Sequence, residues 1–148
     1  MEKALRVTLK HGGFANVSQQ RSCIMAAIRG RHNRTTELVL RMAFVRARVA
    51  GWRLHPSSVL GKPDFFFTRK RIAVFVDGCF WHGCPTCGHV PKTNSMFWKT
   101  KIQRNKQRDA RVTHALRRSG IRVIRAWEHE LKHPKRIRVI LSRILATG

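Results

Sequence analysis

The apolar positions of this chain fall into a few stretches with clear periods. Ile72-Ala73-Val74-Phe75-Val76 is apolar throughout, which predicts a central strand buried on both faces. Asp64–Phe67 precedes it across the polar turn Thr68-Arg69-Lys70, so the two segments are predicted to form a hairpin. From about Ser95 to Arg118, Trp98, Ile102, Asn105, Asp109, Val112 and Leu116 recur at spacings alternating between four and three, the inward stripe of a long helix. Thr35-Thr36-Glu37 predicts a helix start, with hydroxyls to cap and an acid in the first turn. That helix is expected to run to about Val49, with Leu38, Met42, Val45 and Val49 on one face and Gly51 ending it. Trp52–His55 is predicted as a short strand, followed by loop residues Pro56-Ser57-Ser58 and Gly61-Lys62-Pro63. Ile121–Trp127 predicts another strand, and Pro134 opens a last helix with Ile137, Ile140, Leu141, Ile144 and Leu145 on its buried side. The order helix, strands, helix, strand, helix implies an α/β fold, a mixed sheet flanked by helices.

Length and charge narrow the class. A chain of 148 residues suits one domain, read here as residues 21–148, with residues 1–20 a weakly patterned, flexible N-terminal arm. A short helix facing phosphate is expected over residues 21–34, where apolar positions alternate with Arg29, Arg31, His32 and Arg34. No apolar run approaches the roughly 20 residues of a spanning helix, and no apolar signal core opens the chain, so the expected location is the cytoplasm. Lys and Arg number 31 against 7 Asp and Glu, a formal charge of +24. So large an excess opposes compaction unless a polyanion neutralises it, and its spread along the whole chain points to a folded nucleic-acid-binding surface. Charge does not separate DNA from RNA, or a nuclease from a binder. Carboxylates repel phosphate, so each of Glu2, Glu37, Asp64, Asp77, Asp109, Glu128 and Glu130 needs either a salt bridge or a metal to justify it.

The chemistry concentrates in Val76-Asp77-Gly78-Cys79-Phe80-Trp81-His82-Gly83-Cys84-Pro85-Thr86-Cys87. Three thiols this close, in a chain without a secretory signal, favour structural zinc over disulfides, and Cys23 stands apart as a free thiol. Zinc asks for a fourth ligand, and spacing alone offers both His89 and His129. The hairpin brings Asp64 and Asp77 to the same end of the sheet, with His82 just beyond. Asp109 and Asn105 lie on an apolar helix face, where an uncompensated polar group is costly. Asp109 therefore either pairs with an arginine or reaches a histidine of the site. Phe80 and Trp81 either fill the core or part stacked bases.

In these blocks the chain resembles the very-short-patch repair (Vsr) family of DNA mismatch endonucleases, a branch of the restriction-endonuclease-like fold. The resemblance runs from Arg21 to about Leu131: Arg21-Ser22 with Met25 and Ile28-Arg29-Gly30, Glu37-Leu38, Pro63-Asp64-Phe65, Val76 through Pro85, Phe97-Trp98, Lys101-Ile102, Asn105, Arg108-Asp109, and Trp127-Glu128-His129-Glu130-Leu131. It implies that Asp64 holds a catalytic Mg²⁺ with the main-chain carbonyl of Val76, and that Glu37 holds a water on that cation. It implies that His82 activates water and that Asp109 orients it. Cys79, Cys84 and Cys87 would bind structural Zn²⁺, with His129 favoured over His89 as fourth ligand. Phe80 and Trp81 would insert beside a mismatch, with Met25 wedging from the opposite side. The departure is at Asp77-Gly78-Cys79, where nucleases of this fold usually place Asp/Glu-x-Lys. No lysine is present, and Asp77, counted here with the catalytic set, could bind metal, contact a water on it, or serve only the loop.

The implied activity is Mg²⁺-dependent nicking of one strand of double-stranded DNA at T·G mismatches left by 5-methylcytosine deamination, by a monomer at the bacterial nucleoid. The alternatives are a related homing or defence nuclease cutting matched DNA, and a catalytically silent zinc-stapled nucleic-acid binder.

Overall fold

The computed structural model describes residues 34–146. The expectations for the N-terminal arm, for the helix over 21–34, and for Met25 and Cys23 lie outside them.

Four strands form one sheet in the order β1-β2-β3-β4, with β1 (Trp52–Leu54), β2 (Phe65–Phe67), β3 (Ile72–Asp77) and β4 (Arg122–Trp127). The first three are antiparallel neighbours, and β4 runs parallel to β3. A parallel neighbour requires a crossover connection. Helix α2 (Ser95–Arg118) supplies it, within the limits read from its periodicity. Helices α1 (Arg34–Arg46) and α3 (Pro134–Leu145) complete the mixed α/β architecture.

Strand alternation sorts the core into two layers. On one face Phe65, Phe67, Ile72, Val74, Ile124 and Ala126 pack with Leu40 and Phe44 of α1 and Ile140 and Ile144 of α3. On the other, Ala73, Phe75 and Val123 pack with Leu116 and Val112 of α2. Asp77 and Arg125 follow Phe75 and Val123 by two residues along their strands, so both polar side chains emerge on the α2 face.

Two expectations need correction. The buried face of α1 is Thr36, Leu40 and Phe44, whereas Leu38, Met42 and Val45 are about half exposed. The aromatic Phe44 decides the rotation of the helix, because its ring packs edge-on against Phe65 and Phe67 at centroid distances of 5.0 and 5.6 Å. Helix α1 also stops before Gly51. Arg48 takes the left-handed conformation (φ 53°), Arg48 N–H bonds Val45 O, and Val49 N–H bonds Phe44 O. This double closure turns the chain and tucks Val49 into the core. On α3, Leu145 is likewise exposed rather than buried.

No helix of the described residues is long and apolar enough to cross a membrane.

Candidate active site and metal centre

Among the described residues the candidate chemistry gathers at one end of the sheet, where β1 ends, β2 begins, and β3 and β4 run on together past β2. Pairing of β2 with β3 stops at Phe65 and Val74. Val76 therefore overhangs β2, and its N–H donates instead to Asp64 Oδ2 at 2.7 Å. The antiparallel register Leu54↔Phe65 sets His55 opposite Asp64, and His55 N–H bonds Asp64 O at 3.2 Å.

The first cluster is Glu37, His55 and Asp64, whose ligand atoms lie within 4.8 Å of one another in a group that could hold a metal ion. Glu37 arrives from the first turn of α1. His55 Nε2 donates to Glu37 Oε2 at 2.9 Å, and His55 Nδ1 is 3.8 Å from Asp64 Oδ1. Burial raises the Asp64 pKa, the negative charges of Glu37 and Asp77 add to the rise, and the Val76 N–H and His55 oppose it. Burial is the largest of these effects, so ionising Asp64 is costly where it stands. In the sequence His55 marks only the end of a short strand; its signal is the cross-strand register with Asp64, which no local pattern reveals.

The second cluster is built around His82. Its Nδ1 lies 2.5 Å from Asp109 Oδ2 on α2 and 3.7 Å from Asp77 Oδ1. Arg125 binds both oxygens of Asp77, Nε to Oδ2 at 2.6 Å and one terminal nitrogen to Oδ1 at 2.7 Å. The same guanidinium stands 3.3 Å from Asp109 Oδ1, donates to Thr113 Oγ1 at 3.2 Å, and lies over the Phe75 ring. Both alternatives for Asp109 are therefore realised, a histidine on one oxygen and an arginine on the other. Burial pushes the Asp109 pKa up, but the hydrogen bond and charge of His82, then Arg125 and Arg108, outweigh it and leave it lowered. Burial likewise opposes the charge on Arg125, and Asp77 followed by Asp109 reverses this, leaving its pKa raised. Asp77 is 3% exposed with both oxygens on Arg125, which places it with the His82–Asp109 pair rather than in the Glu37–His55–Asp64 group. Arg125, hidden among 31 basic residues, could not have been singled out from the sequence.

The backbone between Asp77 and Cys84 is wound tightly enough to aim His82. His82 N–H bonds Gly78 O at 3.1 Å and Cys84 N–H bonds Cys79 O at 2.9 Å. Gly83 has φ +62°, and a Cβ there would stand 2.7 Å from Ile102 Cγ2 of α2, so only glycine lets the loop lie this close to the helix. Asn105 donates to Trp81 O at 2.9 Å, which satisfies this polar group of the α2 stripe and fixes the peptide preceding His82.

Beyond His82 the loop forms the third cluster. Sγ atoms of Cys79, Cys84 and Cys87 lie 3.3, 3.6 and 3.5 Å from one atom, His129 Nδ1. A single ring nitrogen has no capacity for three thiol donors. The four ligand atoms lie within 4.8 Å of one another and could together hold a metal ion. His89 is not among them; its ring packs against Phe80 at 5.6 Å. In the thiol state burial pushes Cys79 up to about 12. Glu128, the residue after β4, supports the loop by accepting from Cys79 N–H at 3.4 Å, and Glu130 accepts from Trp127 N–H at 2.9 Å.

Phe80 and Trp81 are half-buried and meet edge-on, with Trp98 of α2 5.2 and 5.8 Å from their centroids. Lys101 Nζ sits 5.2 Å from the Trp81 ring.

Comparison with known proteins decides what this assembly belongs to. Residues 16–87 match the family model described as DNA mismatch endonuclease Vsr. A type II nicking enzyme of Neisseria meningitidis serogroup A, V.NmeAIP, is 34% identical over 130 residues, which is 86% of this chain and 91% of that protein. The chain belongs to the Vsr endonuclease family. Within it, the type II nicking enzyme V.NaeI of Lentzea aerocolonigenes is 52% identical over 69 residues, covering 47% of this chain and 42% of that protein. The DNA mismatch endonuclease Vsr of Escherichia coli strain K12 is 39% identical over 83 residues, 55% of this chain and 53% of that protein. The resemblance stated from the motifs, and the mixed α/β fold with it, therefore hold for this Vsr-family chain.

Proposed function

We propose that this Vsr-family protein is a Mg²⁺-dependent endonuclease that nicks one strand of double-stranded DNA at T·G mismatches, acting as a monomer at the bacterial nucleoid. The observation that carries the reading is the meeting, at one sheet end, of the Glu37–His55–Asp64 cluster that could hold a cation and a histidine gripped by Asp109. Phosphodiester hydrolysis needs both parts, a cation site for developing phosphate charge and a base working near neutral pH.

Asp64 and the Val76 carbonyl would hold Mg²⁺, with Glu37 beside them. Their oxygen donors fit such a cation. In an extended strand the N–H and C=O of one residue point to the same side, and Val76 N–H already points at Asp64. The bound cation supplies charge neutralisation at the scissile phosphate. His82 Nδ1–H donates to Asp109, which leaves Nε2 to take the proton from an attacking water. Asp109 orients the ring and stabilises its protonated form. Arg125, bridging Asp77 and Asp109, fixes the orienting carboxylate in turn. Asp77 acts in this reading through that guanidinium.

Zn²⁺ is proposed for the cysteine cluster. Tetrahedral bonds of about 2.3 Å to sulfur and about 2.0 Å to nitrogen put S and N about 3.5 Å apart. The observed 3.3–3.6 Å fits. The ion would staple the His82 loop to β4.

Phe80 and Trp81, with Met25, are proposed to enter the base stack beside the mispair, where unstacking costs least. The test is a single-turnover nicking assay over all mismatches and a matched control in varied flanking sequence, with and without Mg²⁺. Selective nicking at T·G supports the reading. Equal cutting of matched duplex would favour a homing or defence nuclease, and binding without cutting would favour a silent binder.

A further inference from the structure

Among the described residues, His55 is the one member of the Asp64 cluster to which no role has been given. It stands in a left-handed backbone conformation, φ 42°, immediately after β1. A non-glycine residue held there carries strain of order 1 kcal/mol or more, which the surrounding structure must offset. Here the offset is visible, since β1–β2 pairing and the His55 N–H to Asp64 O bond lock the turn.

The ring's orientation is informative. Glu37 is a carboxylate and accepts, so the proton of the bond at 2.9 Å belongs to His55 Nε2. Nδ1 is then the ring nitrogen that faces Asp64 Oδ1, at 3.8 Å, and the one that could turn a lone pair to a cation held between them. A carboxylate on one ring nitrogen fixing the tautomer, and a ligand lone pair on the other, is the arrangement of a metal-binding histidine and its supporting acid. Two ligand atoms flanking one cation at bonds of about 2.1 Å lie about 3 Å apart at a right angle and about 4.2 Å apart in line. The separation seen falls between these limits.

We propose that His55 Nδ1 is a direct ligand of the catalytic cation, so that the site is a mixed nitrogen–oxygen site with Glu37 acting on it through His55. The inference rests on the cation site proposed above and names the class of ion it takes. A nitrogen donor adds little for Mg²⁺, a hard ion that prefers oxygen and dehydrates reluctantly. It adds much for first-row transition ions, whose affinity for nitrogen rises from Mn²⁺ through Co²⁺ to Ni²⁺. The site therefore takes a divalent transition ion more tightly than Mg²⁺.

The experiment is calorimetric titration of the full-length, zinc-loaded protein with Co²⁺ and separately with Mg²⁺, with zinc content measured before and after. Wild type should bind Co²⁺ at least about tenfold more tightly than Mg²⁺. His55→Gln, which keeps a polar side chain facing Glu37, should lose about tenfold or more in Co²⁺ affinity and change Mg²⁺ affinity by less than about threefold. Glu37→Gln should weaken Co²⁺ less than His55→Gln does. Independently of variant folding, Co²⁺ should shift and broaden the His55 imidazole resonances of the wild-type protein. The inference is overturned if His55→Gln binds both ions as wild type does, if it loses both equally, or if the His55 resonances do not respond. Failure of the nuclease reading looks different: Co²⁺ would bind as described while no duplex is nicked with either ion.

Discussion

His82 Nδ1 lies 2.5 Å from Asp109 Oδ2, a contact between a loop histidine and the midpoint of a long helix. The carboxylate that holds the ring is itself held, because Asp109 Oδ1 is 3.3 Å from Arg125 on β4. If the pair acts as one unit, the losses from removing either member are strongly non-additive. Asp109→Asn should lose much of the nicking rate while keeping fold and DNA affinity, and the double variant with His82→Ala should be little slower than His82→Ala alone. Single-turnover rates across the four proteins test this. Fully multiplicative losses would assign Asp109 to Arg125 alone.

Asp77 is expected to show itself as a charge partner and not a metal ligand. Removing one member of a buried ion pair leaves the other uncompensated and costs about 3 kcal/mol or more. Because Asp109 Oδ1 stays 3.3 Å from Arg125, Asp77→Ala should lower stability to urea by less than that full amount, with divalent-ion binding retained. The Asp77→Val/Arg125→Leu double variant should recover part of the loss. An Asp77→Ala protein of wild-type stability that no longer binds the divalent ion would reverse the assignment.

For Asp64 the pH dependence has a definite sign. Its folded pKa is raised above 3.8, chiefly by burial, so the folded chain binds this proton more tightly than the unfolded chain. That contribution favours folding at low pH and is lost as pH rises through the folded value. At neutral pH, without divalent cation, Asp64→Asn should therefore melt above wild type, since its amide oxygen can still accept from Val76 N–H. Adding Mg²⁺ should raise the wild-type melting temperature and leave the variant's unchanged, and the variant should not nick. Thermal melts of zinc-loaded protein decide it.

One zinc per chain is expected by elemental analysis. Cys84→Ser and Cys87→Ser should lower the melting temperature and the zinc content before they alter the activity of the protein that remains folded. Gly88→Ala should do the same without replacing a ligand, because a Cβ there would clash with the backbone carbonyl of Cys84 and displace that residue. Unchanged stability in all three would remove the structural role.

A surface that neutralises phosphate releases counterions, so the log of DNA affinity should fall with log salt at a slope of about −0.9 per contact. Filter binding between low and moderate salt measures it. A slope near zero would mean the charge of +24 is not used on DNA.

Local patterns in the sequence settled what kinds of element form and named most of the candidate site residues. The period of α2, the all-apolar run of β3 and the polar turn before it were legible because helix and strand periodicity depend on near neighbours only. Hairpin geometry was enough to bring Asp64 and Asp77 to the same end of the sheet. The thiol spacing was enough to suggest a metal staple. Tertiary structure decided the rest. Which face of α1 is buried depended on where the Phe44 ring finds Phe65 and Phe67, and periodicity alone could not weigh Leu38, Met42 and Val45 against it. The partners of Asp77 and Asp109 depended on one arginine among many, selected by the parallel register that sets Arg125 beside Phe75 on the α2 face. His55 entered the Asp64 cluster through the pairing of β1 with β2, and His129 rather than His89 met the thiols because β4 ends beside β3. Contacts of this kind join separate segments, and they are set by strand register and helix packing rather than by any pattern within the segments themselves.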